Sequence, residues 1–215
     1  ETNEEAMAIL KIVVKSKTPE IVGRIFSAKI VELALANYPG WTAQSDIKQG
    51  TPFISYWPAL VDSKKIQEHL HFNGETTVIE RENYKEADKK PNQDIKIEPL
   101  PDEEMLEIEF GRIFGTRSGD KGGCANLGVW AKDDDSYRYL YHFLSVNKLK
   151  ELMPDLNQFE IDRYELPNIK SLNFYVRGLL ENGVSSNNRK DGQAKSLGEY
   201  LGVKMIGCPK SLLKK

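Results

Sequence analysis

A charged stretch in the middle of the chain, residues 80–103, most limits what the chain can fold into. It reads ERENYKEADKKPNQDIKIEPLPDE, with prolines at positions 91, 99 and 101 and almost no side chains that a core would bury. Such a composition cannot bury enough apolar surface to offset the entropy of ordering it, so it is typical of a linker or a mobile loop. We therefore predict a domain boundary there, between residues 1–79 and residues 104–215.

The first of these regions carries signals for one helix and one hairpin. Thr18-Pro19-Glu20 is typical of a helix start, and the apolar positions that follow predict a largely buried helix to about residue 36. Asn73-Gly74 lies between two short apolar runs and predicts a β-hairpin. His69 and His71 would share one face of its first strand, but we expect no metal site because no third ligand is in view.

The second region predicts an α/β (α+β) fold, a two-layer sandwich whose antiparallel or mixed sheet is covered on one face. Alternating or apolar runs predict four strands, over residues 106–110, 125–132, 158–164 and 171–179. Helices are expected over residues 137–152, after an Asp133 cap and with a break near Ser145, and over residues 191–201. The order is β-β-α-β-β-α, and a short final strand follows at residues 207–209.

Composition excludes several functions. A net charge of −2 gives no support to nucleic-acid binding or to adhesion to anionic membranes. No apolar run approaches the ~20 residues that a membrane helix needs. Two cysteines, Cys124 and Cys208, are typical of reduced thiols in a cytosolic protein, and no targeting signal is visible. We therefore predict a cytoplasmic protein.

The segment most suited to chemistry is TRSGDKGGCANLG at residues 116–128, which we expect to be a loop between two buried strands. Its glycines at 119, 122 and 123 permit positive φ, and consecutive amides in such a turn can bind an anion. Arg117 and Lys121 would add positive charge there. The segment lacks the spacing of a phosphate-binding P-loop or of a dinucleotide fingerprint. It is either a structural glycine turn or an anion or carbonyl pocket.

Two further segments are more polar than packing alone requires, residues 163–168 and residues 185–195. In the second, Asp191 can cap a helix whose N-terminus receives an anion, and Arg189 could then bind a phosphate or carboxylate. A solvated cap is the alternative. Cys124 is expected to be a packed thiol rather than a nucleophile, because a catalytic thiol needs a nearby activating group.

These segments together resemble the C-terminal region of the acyclic terpene utilisation AtuA family. The matching residues are ArgSerGlyAspLysGly at 117–122, AlaAsnLeuGly at 125–128, ArgTyrGluLeuProAsn at 163–168, LeuAsnPhe at 172–174, GlyValSer at 183–185 and LeuGlyGlu at 197–199, with Arg189, Asp191, Gln193 and Lys195. The match covers residues 104–209. TyrProGly at 38–40 and TyrTrpProAlaLeu at 56–60 extend it more loosely. The chain departs from the family at Gly123, with Cys124 after it, and at Ser186, where the family usually has Arg.

The resemblance implies a ferredoxin-like C-terminal domain preceded by the tail of a larger α/β domain, and hence a chain that is the C-terminal part of a longer protein. It also implies catabolism of acyclic terpenes such as citronellol and geraniol, which proceeds through branched acyl-CoA thioesters. It assigns no reaction and no cofactor.

The leading hypothesis is an enzyme of lyase or hydratase type, or part of one, that acts on a carboxylate or acyl-CoA. Asp120, Lys121 and Glu165 are the candidate catalytic residues, with Asp120 or Glu165 as general base. The candidate substrate-binding residues are Arg117, Ser118, Gly119, Gly122, Gly123, Asn126, Tyr164, Asn168, Arg189, Gln193 and Lys195. We expect neither a metal nor another cofactor.

The alternative is a non-catalytic module that pairs subunits or covers the active site of a larger enzyme. The expected partners are a small-molecule substrate, a second copy of the chain and the N-terminal part of the longer protein. Nucleic-acid binding by the sheet is disfavoured, because neither a basic surface nor an aromatic stacking pattern is evident.

Overall fold

A computed structural model describes residues 2–3, 6–34, 36, 39, 42–43, 49–80 and 96–214. Contacts divide the chain into two compact units, Glu1–Ile54 and Ser55–Lys215. In the first unit, a helical turn over Ile21–Ile25, distorted at Gly23, leads into helix α1, Phe26–Ala34. The predicted helix is present, but its predicted burial is wrong. Ile25 is 66% exposed and Leu33 is 57% exposed, because the described residues of this unit put no apolar surface over them.

The second unit begins with the predicted hairpin, strands β1 (Glu68–Phe72) and β2 (Glu75–Ile79), which are paired antiparallel. Asn73 and Gly74 have φ angles of 49° and 83°, as a two-residue turn of this kind requires. His69 and His71 do share one face, with ring centroids 6.3 Å apart. Among the residues that the structure describes, no third ligand joins them.

The rest of this unit alternates hairpins and helices. Its elements are β3 (Met105–Glu109), β4 (Phe114–Lys121), β5 (Cys124–Ala131), α2 (Asp134–Phe143), α3 (Val146–Leu152), β6 (Ile161–Leu166), β7 (Ser171–Val176), α4 (Leu197–Gly202) and β8 (Met205–Pro209). Asp133 caps α2 by accepting a hydrogen bond from Ser136 N at 2.8 Å, and Ser145 caps α3 after the predicted break. Both helix starts are confirmed.

Four strands form an antiparallel sheet in the order β4-β5-β7-β6. On its covered face, alternate side chains of β5 and β7 pack against α2 and α3 in one core. This core includes Ala125, Leu127, Val129, Leu140, Leu149, Leu172, Phe174 and Val176. The predicted two-layer sandwich with one covered face is therefore confirmed.

The polar segment at residues 116–121 differs from its prediction, because it is a strand and not a loop. It pairs with β5 residue by residue, from Phe114 opposite Ala131 to Lys121 opposite Cys124. Pairing with an apolar neighbour outweighs the low strand propensity of its glycines and charged residues. Only Gly122 and Gly123 form the turn. The predicted strand at residues 106–110 also pairs elsewhere, since β3 joins β8 in a separate two-stranded sheet.

The last helix is shorter than predicted. Residues 191–196 form a turn, in which the Asp191 carboxylate accepts hydrogen bonds from Lys195 N at 2.8 Å and Ser196 N at 3.0 Å. Helix α4 therefore begins only at Leu197 and has six residues. The Asp191 carboxylate thus caps this turn ahead of α4 and not the helix itself, and anion binding by this segment stays a prediction.

The segment before β3 lies along α2. Arg138 Nε and Nη2 donate to the carbonyl oxygens of Glu98 and Pro99, each at 2.9 Å, and His142 Nε2 lies 2.8 Å from Ile97 O. Residues 81–95 of the predicted linker lie outside the described residues, and the domain boundary stays a prediction. None of the helices in the described part of the chain has the length and apolar character that a membrane crossing requires.

Candidate functional site

The face of the four-stranded sheet that points away from the helices, here called the open face, is polar. Its side chains alternate along each strand with the core residues, and the pairing register places them in rows. They belong to Gly115, Arg117, Gly119, Lys121, Cys124, Asn126, Gly128, Trp130, Asp162, Tyr164, Leu166, Ser171, Asn173 and Tyr175. Most are half-buried or exposed, and Gly119 is buried.

Three cations line the β4 edge of the open face. Arg117 and Lys121 are exposed, four residues apart on one strand and hence about 13 Å apart. The Lys195 ammonium lies between them, since a methyl group placed on Gly119 would be 2.9 Å from Lys195 Nζ. Asp120 Oδ1 is 3.9 Å from that ammonium. Within the described residues, the Arg117 guanidinium has no ion pair, so the edge carries excess positive charge.

The middle of the open face holds a pair of amides. Asn126 Nδ2 donates to Asn173 Oδ1 at 3.3 Å, across neighbouring strands. Gly128 follows two residues after Asn126 and lies opposite both Arg117 and Asn173. An amide pair beside an open glycine can present both a donor and an acceptor to a polar ligand.

One corner of the open face holds the Cys124 thiol, which is free and half-exposed. Gly178 N donates to its Sγ at 3.4 Å, and a hydrogen bond with this thiol raises the pKa of the Tyr175 phenol above its ordinary value. Arg177 lies over the Tyr175 ring and binds Asp162 at 2.6 Å. The charge of the Asp162 carboxylate is thus neutralised by Arg177, so it does not offset the charges of the cations on β4.

Three residues predicted for the site, Ser118, Asp120 and Glu165, instead have their side chains directed to the covered face at the Cα atom. Ser118 is buried, and its Oγ accepts a hydrogen bond from Gly198 N at 3.0 Å. Thr116 Oγ1 donates to Gly198 O at 2.9 Å, so the two hydroxyls join α4 to β4. Asp120 reaches the β4 edge beside Lys195, whereas Glu165 lies on β6 and pairs with Arg163. These two candidate bases are separated by three strand spacings, about 14 Å, and also by four residues along the strands, about 13 Å.

The side chains of the third predicted segment, residues 185–195, do not all lie on the open face. Arg189 Nη2 lies 3.8 Å from Asp155, in the turn after α3, while Lys195 lies at the β4 edge. Asn168 and Gln193 are exposed, and within the described part of the chain neither side chain forms a hydrogen bond or ion pair with the open face. Ser186, one of the two departures from the family pattern, is buried and donates to Gly183 O at 3.2 Å.

The two turn glycines are required by close neighbours. A methyl group on Gly123 would lie 2.1 Å from Glu181 O, so no larger residue fits this departure from the family pattern. Gly122 has a φ of +63°, and a methyl group on it would lie 2.7 Å from the Tyr56 ring. Tyr56 N also donates to Asn182 O at 2.8 Å. Both glycines therefore shape the turn rather than offer a free cradle for an anion.

The structure thus brings together Arg117, Gly119, Lys121, Asn126 and Lys195, with Tyr164 on the far strand of the same face. The open face also includes residues that were not predicted for the site, among them Gly128, Trp130, Asn173 and Tyr175. The signal that could have found them is their two-residue spacing on strands predicted to have one buried face. The ligand-binding roles of all these residues stay predictions.

Comparison with known families agrees with this architecture. Residues 108–206 match the AtuA ferredoxin-like domain, and residues 1–72 match the acyclic terpene utilisation family protein AtuA. No curated protein and no solved structure matches the chain. Because two models of one family match in the expected order, the chain belongs to the acyclic terpene utilisation AtuA family.

Proposed function

We propose that the chain serves acyclic terpene utilisation by binding an anionic small molecule, a carboxylate or its acyl-CoA thioester, on the open face. Membership of the family gives the general role. The row of Arg117, Lys195 and Lys121 along β4 is the observation that supports the ligand class. A row of three cations suits a ligand with several negative groups, such as coenzyme A, better than a single carboxylate.

Asp120 is the acid–base residue that we propose for any reaction there. Its carboxylate lies 3.9 Å from the Lys195 ammonium and therefore beside the cationic row. Lys121 Nζ donates to the backbone oxygen of Asp120 at 3.0 Å, which holds this lysine next to it. A carboxylate that borders the cationic row can move a proton to or from a ligand bound along it, as lyases and hydratases require. Glu165 is left out of this role because it lies on the opposite edge of the sheet.

The test is a titration of the full chain with a methyl-branched acyl-CoA, followed by calorimetry at low salt. We expect the double variant Arg117→Gln, Lys121→Gln to weaken binding by about fivefold, since two exposed charge contacts contribute roughly 1 kcal/mol together. The control Lys132→Gln, Lys190→Gln removes the same charge at two exposed positions off the open face and should bind normally. Equal affinities for both double variants would refute the proposal.

A second candidate function is subunit pairing through β6, the edge strand opposite β4. Leu166, at the end of this strand, is 42% exposed, and Ile169, in the turn after it, is 65% exposed. Exposed apolar side chains on a free edge favour pairing with a second copy. We propose a homo-oligomer that Leu166→Lys with Ile169→Lys converts to monomer in sedimentation experiments, whereas Val203→Lys does not. A monomeric wild-type chain would rule it out.

Cytoplasmic location and association with an N-terminal part stay predictions.

A further inference from the structure

We infer that the open face also contains a hydrocarbon subsite, in which the carbonyl group of an acyl ligand lies above Gly128 with its oxygen bound by Asn173, and the acyl chain continues against the Trp130 indole. This inference rests on the proposed function, because it takes the anionic end of the ligand to lie along β4. It adds the class of the uncharged part, an apolar acyl group, and the direction in which the ligand lies on the sheet.

Gly128 provides the floor of this subsite. Three glycines of β4 and β5 face the same way, and two of them are already covered. A methyl group on Gly115 would lie 2.1 Å from the Trp130 ring, and one on Gly119 would lie 2.9 Å from Lys195 Nζ. Among the residues that the structure describes, a methyl group on Gly128 would meet only Arg117 O, at an ordinary 3.6 Å. The space above Gly128 is therefore open, between a cation and an indole.

Trp130 provides the apolar wall. Its ring crosses the sheet over Gly115, on the neighbouring strand, so a flat apolar surface stands beside Gly128. The side chain is nevertheless 42% exposed, which leaves apolar area free to be covered. Covering apolar area is favourable by about 25 cal/mol per Å², so an acyl chain against this ring gains affinity that a polar headgroup alone would not.

Asn173 provides a donor for the carbonyl group. Its Oδ1 accepts from Asn126 Nδ2, and this bond fixes the amide so that Nδ2 is the group left for another partner. In the part of the chain that the structure describes, Asn173 Nδ2 has no acceptor. Asn173 lies directly opposite Gly128 in the register. A thioester or carboxyl oxygen above Gly128 would therefore lie within reach of an N–H group.

The order of these groups on the sheet sets the direction of the ligand. Lys121, Lys195 and Arg117 follow one another along β4, and Gly128 lies opposite Arg117 on β5. Trp130 follows Gly128 by two residues on the same face. A ligand with an anionic head and an apolar tail matches this order, whereas a short, fully polar acid would leave Trp130 uncovered.

The test compares free coenzyme A with a methyl-branched, ten-carbon acyl-CoA on the full chain by calorimetry. We expect the acyl-CoA to bind about tenfold more tightly than free coenzyme A, since a few partly covered CH₂ groups suffice for that difference. Gly128→Val should abolish this preference, so that acyl-CoA and free coenzyme A bind the variant equally. The control Gly202→Val adds the same side chain where a glycine has no neighbour within 4 Å, and it should keep the preference.

The outcomes separate this inference from the function on which it rests. If coenzyme A binds and Gly128→Val keeps the tenfold preference, the hydrocarbon subsite is refuted while the proposed function stands. If neither ligand binds the wild-type chain, the proposed function itself fails. Should Gly128→Val not fold, as judged by its thermal transition, Gly128→Ala replaces it, since its methyl group makes only an ordinary contact. Loss of the preference in Gly128→Ala then supports the subsite, and an unchanged preference overturns it.

Discussion

Residues that look catalytic in the sequence divide between two faces of one strand. Arg117, Gly119 and Lys121 point to the open face, while Ser118 and Asp120 start on the other. The sequence predicted these residues as one polar group because, in a loop, all of them could reach one ligand. Two-residue alternation in a strand separates them. The predicted Arg117, Lys121, Asn126 and Lys195 lie together on the same part of the sheet, whereas Ser118 links two elements.

Ser118 should therefore stabilise the fold and leave ligand binding unaffected. Ser118→Ala removes the acceptor for Gly198 N, and a buried N–H group without a partner costs about 1–3 kcal/mol. Urea unfolding measures this cost. Ser196→Ala is the control, because Ser196 is exposed and makes no capping hydrogen bond through its side chain; it should change stability by less than about 0.5 kcal/mol. Normal stability with lost acyl-CoA binding in Ser118→Ala would show that Ser118 binds the ligand instead.

Within single elements, local sequence signals predicted where α2 and α3 begin, but they did not predict which strands pair. Asp133, in the run predicted as a helix cap, caps α2, and Ser145 caps α3 at the predicted break, because a cap bonds to residues within the next turn. Strand β4 was predicted as a loop because its own residues have low strand propensity and its stability comes from pairing with β5. The length of α4 was overestimated because Asp191 can cap a turn as well as a helix. The placement of β3 beside β8 depends on pairing across about a hundred residues, which local patterns do not encode.

Tyr139 on α2 links that helix to β8 and should make stability fall at high pH. Its hydroxyl donates to Gly207 O, and burial, with a smaller effect of Cys208, raises the pKa of the Tyr139 phenol far above its ordinary value near 10. A raised folded-state pKa stabilises the fold fully below pH ~10, and this contribution is lost as pH rises through the folded-state pKa. Denaturant unfolding of the wild-type chain should therefore weaken from pH 9 to pH 11.

The matched variants for this contact are Tyr139→Phe and Tyr200→Phe. Tyr139→Phe should be less stable than the wild-type chain at pH 8, by about 1 kcal/mol for the lost hydrogen bond, and should lose less stability up to pH 11. Tyr200 is exposed, so Tyr200→Phe should keep the wild-type pH dependence. An unchanged slope in Tyr139→Phe would show that the contact between α2 and β8 does not depend on this proton.

For the whole molecule, a sheet with only one face covered by helices has a second face available for a ligand. Cations lie along its β4 edge, amides in its middle and aromatic rings at Trp130 and Tyr164. The sequence could predict the two layers and most of the cations, because both follow from residue type and period. It could not predict which polar side chains share a face, because that depends on the register between distant strands.

The most direct test of the open face as a ligand site is an NMR titration of the full chain with a methyl-branched acyl-CoA. We predict that the largest shifts occur at the backbone amides of Gly119 and Gly128, the indole N–H of Trp130 and the side-chain amide of Asn173. The amides of Leu140 and Leu149, which are buried in the helical layer, should shift little. Shifts concentrated on α2 and α3, with the open-face signals unmoved, would contradict this account.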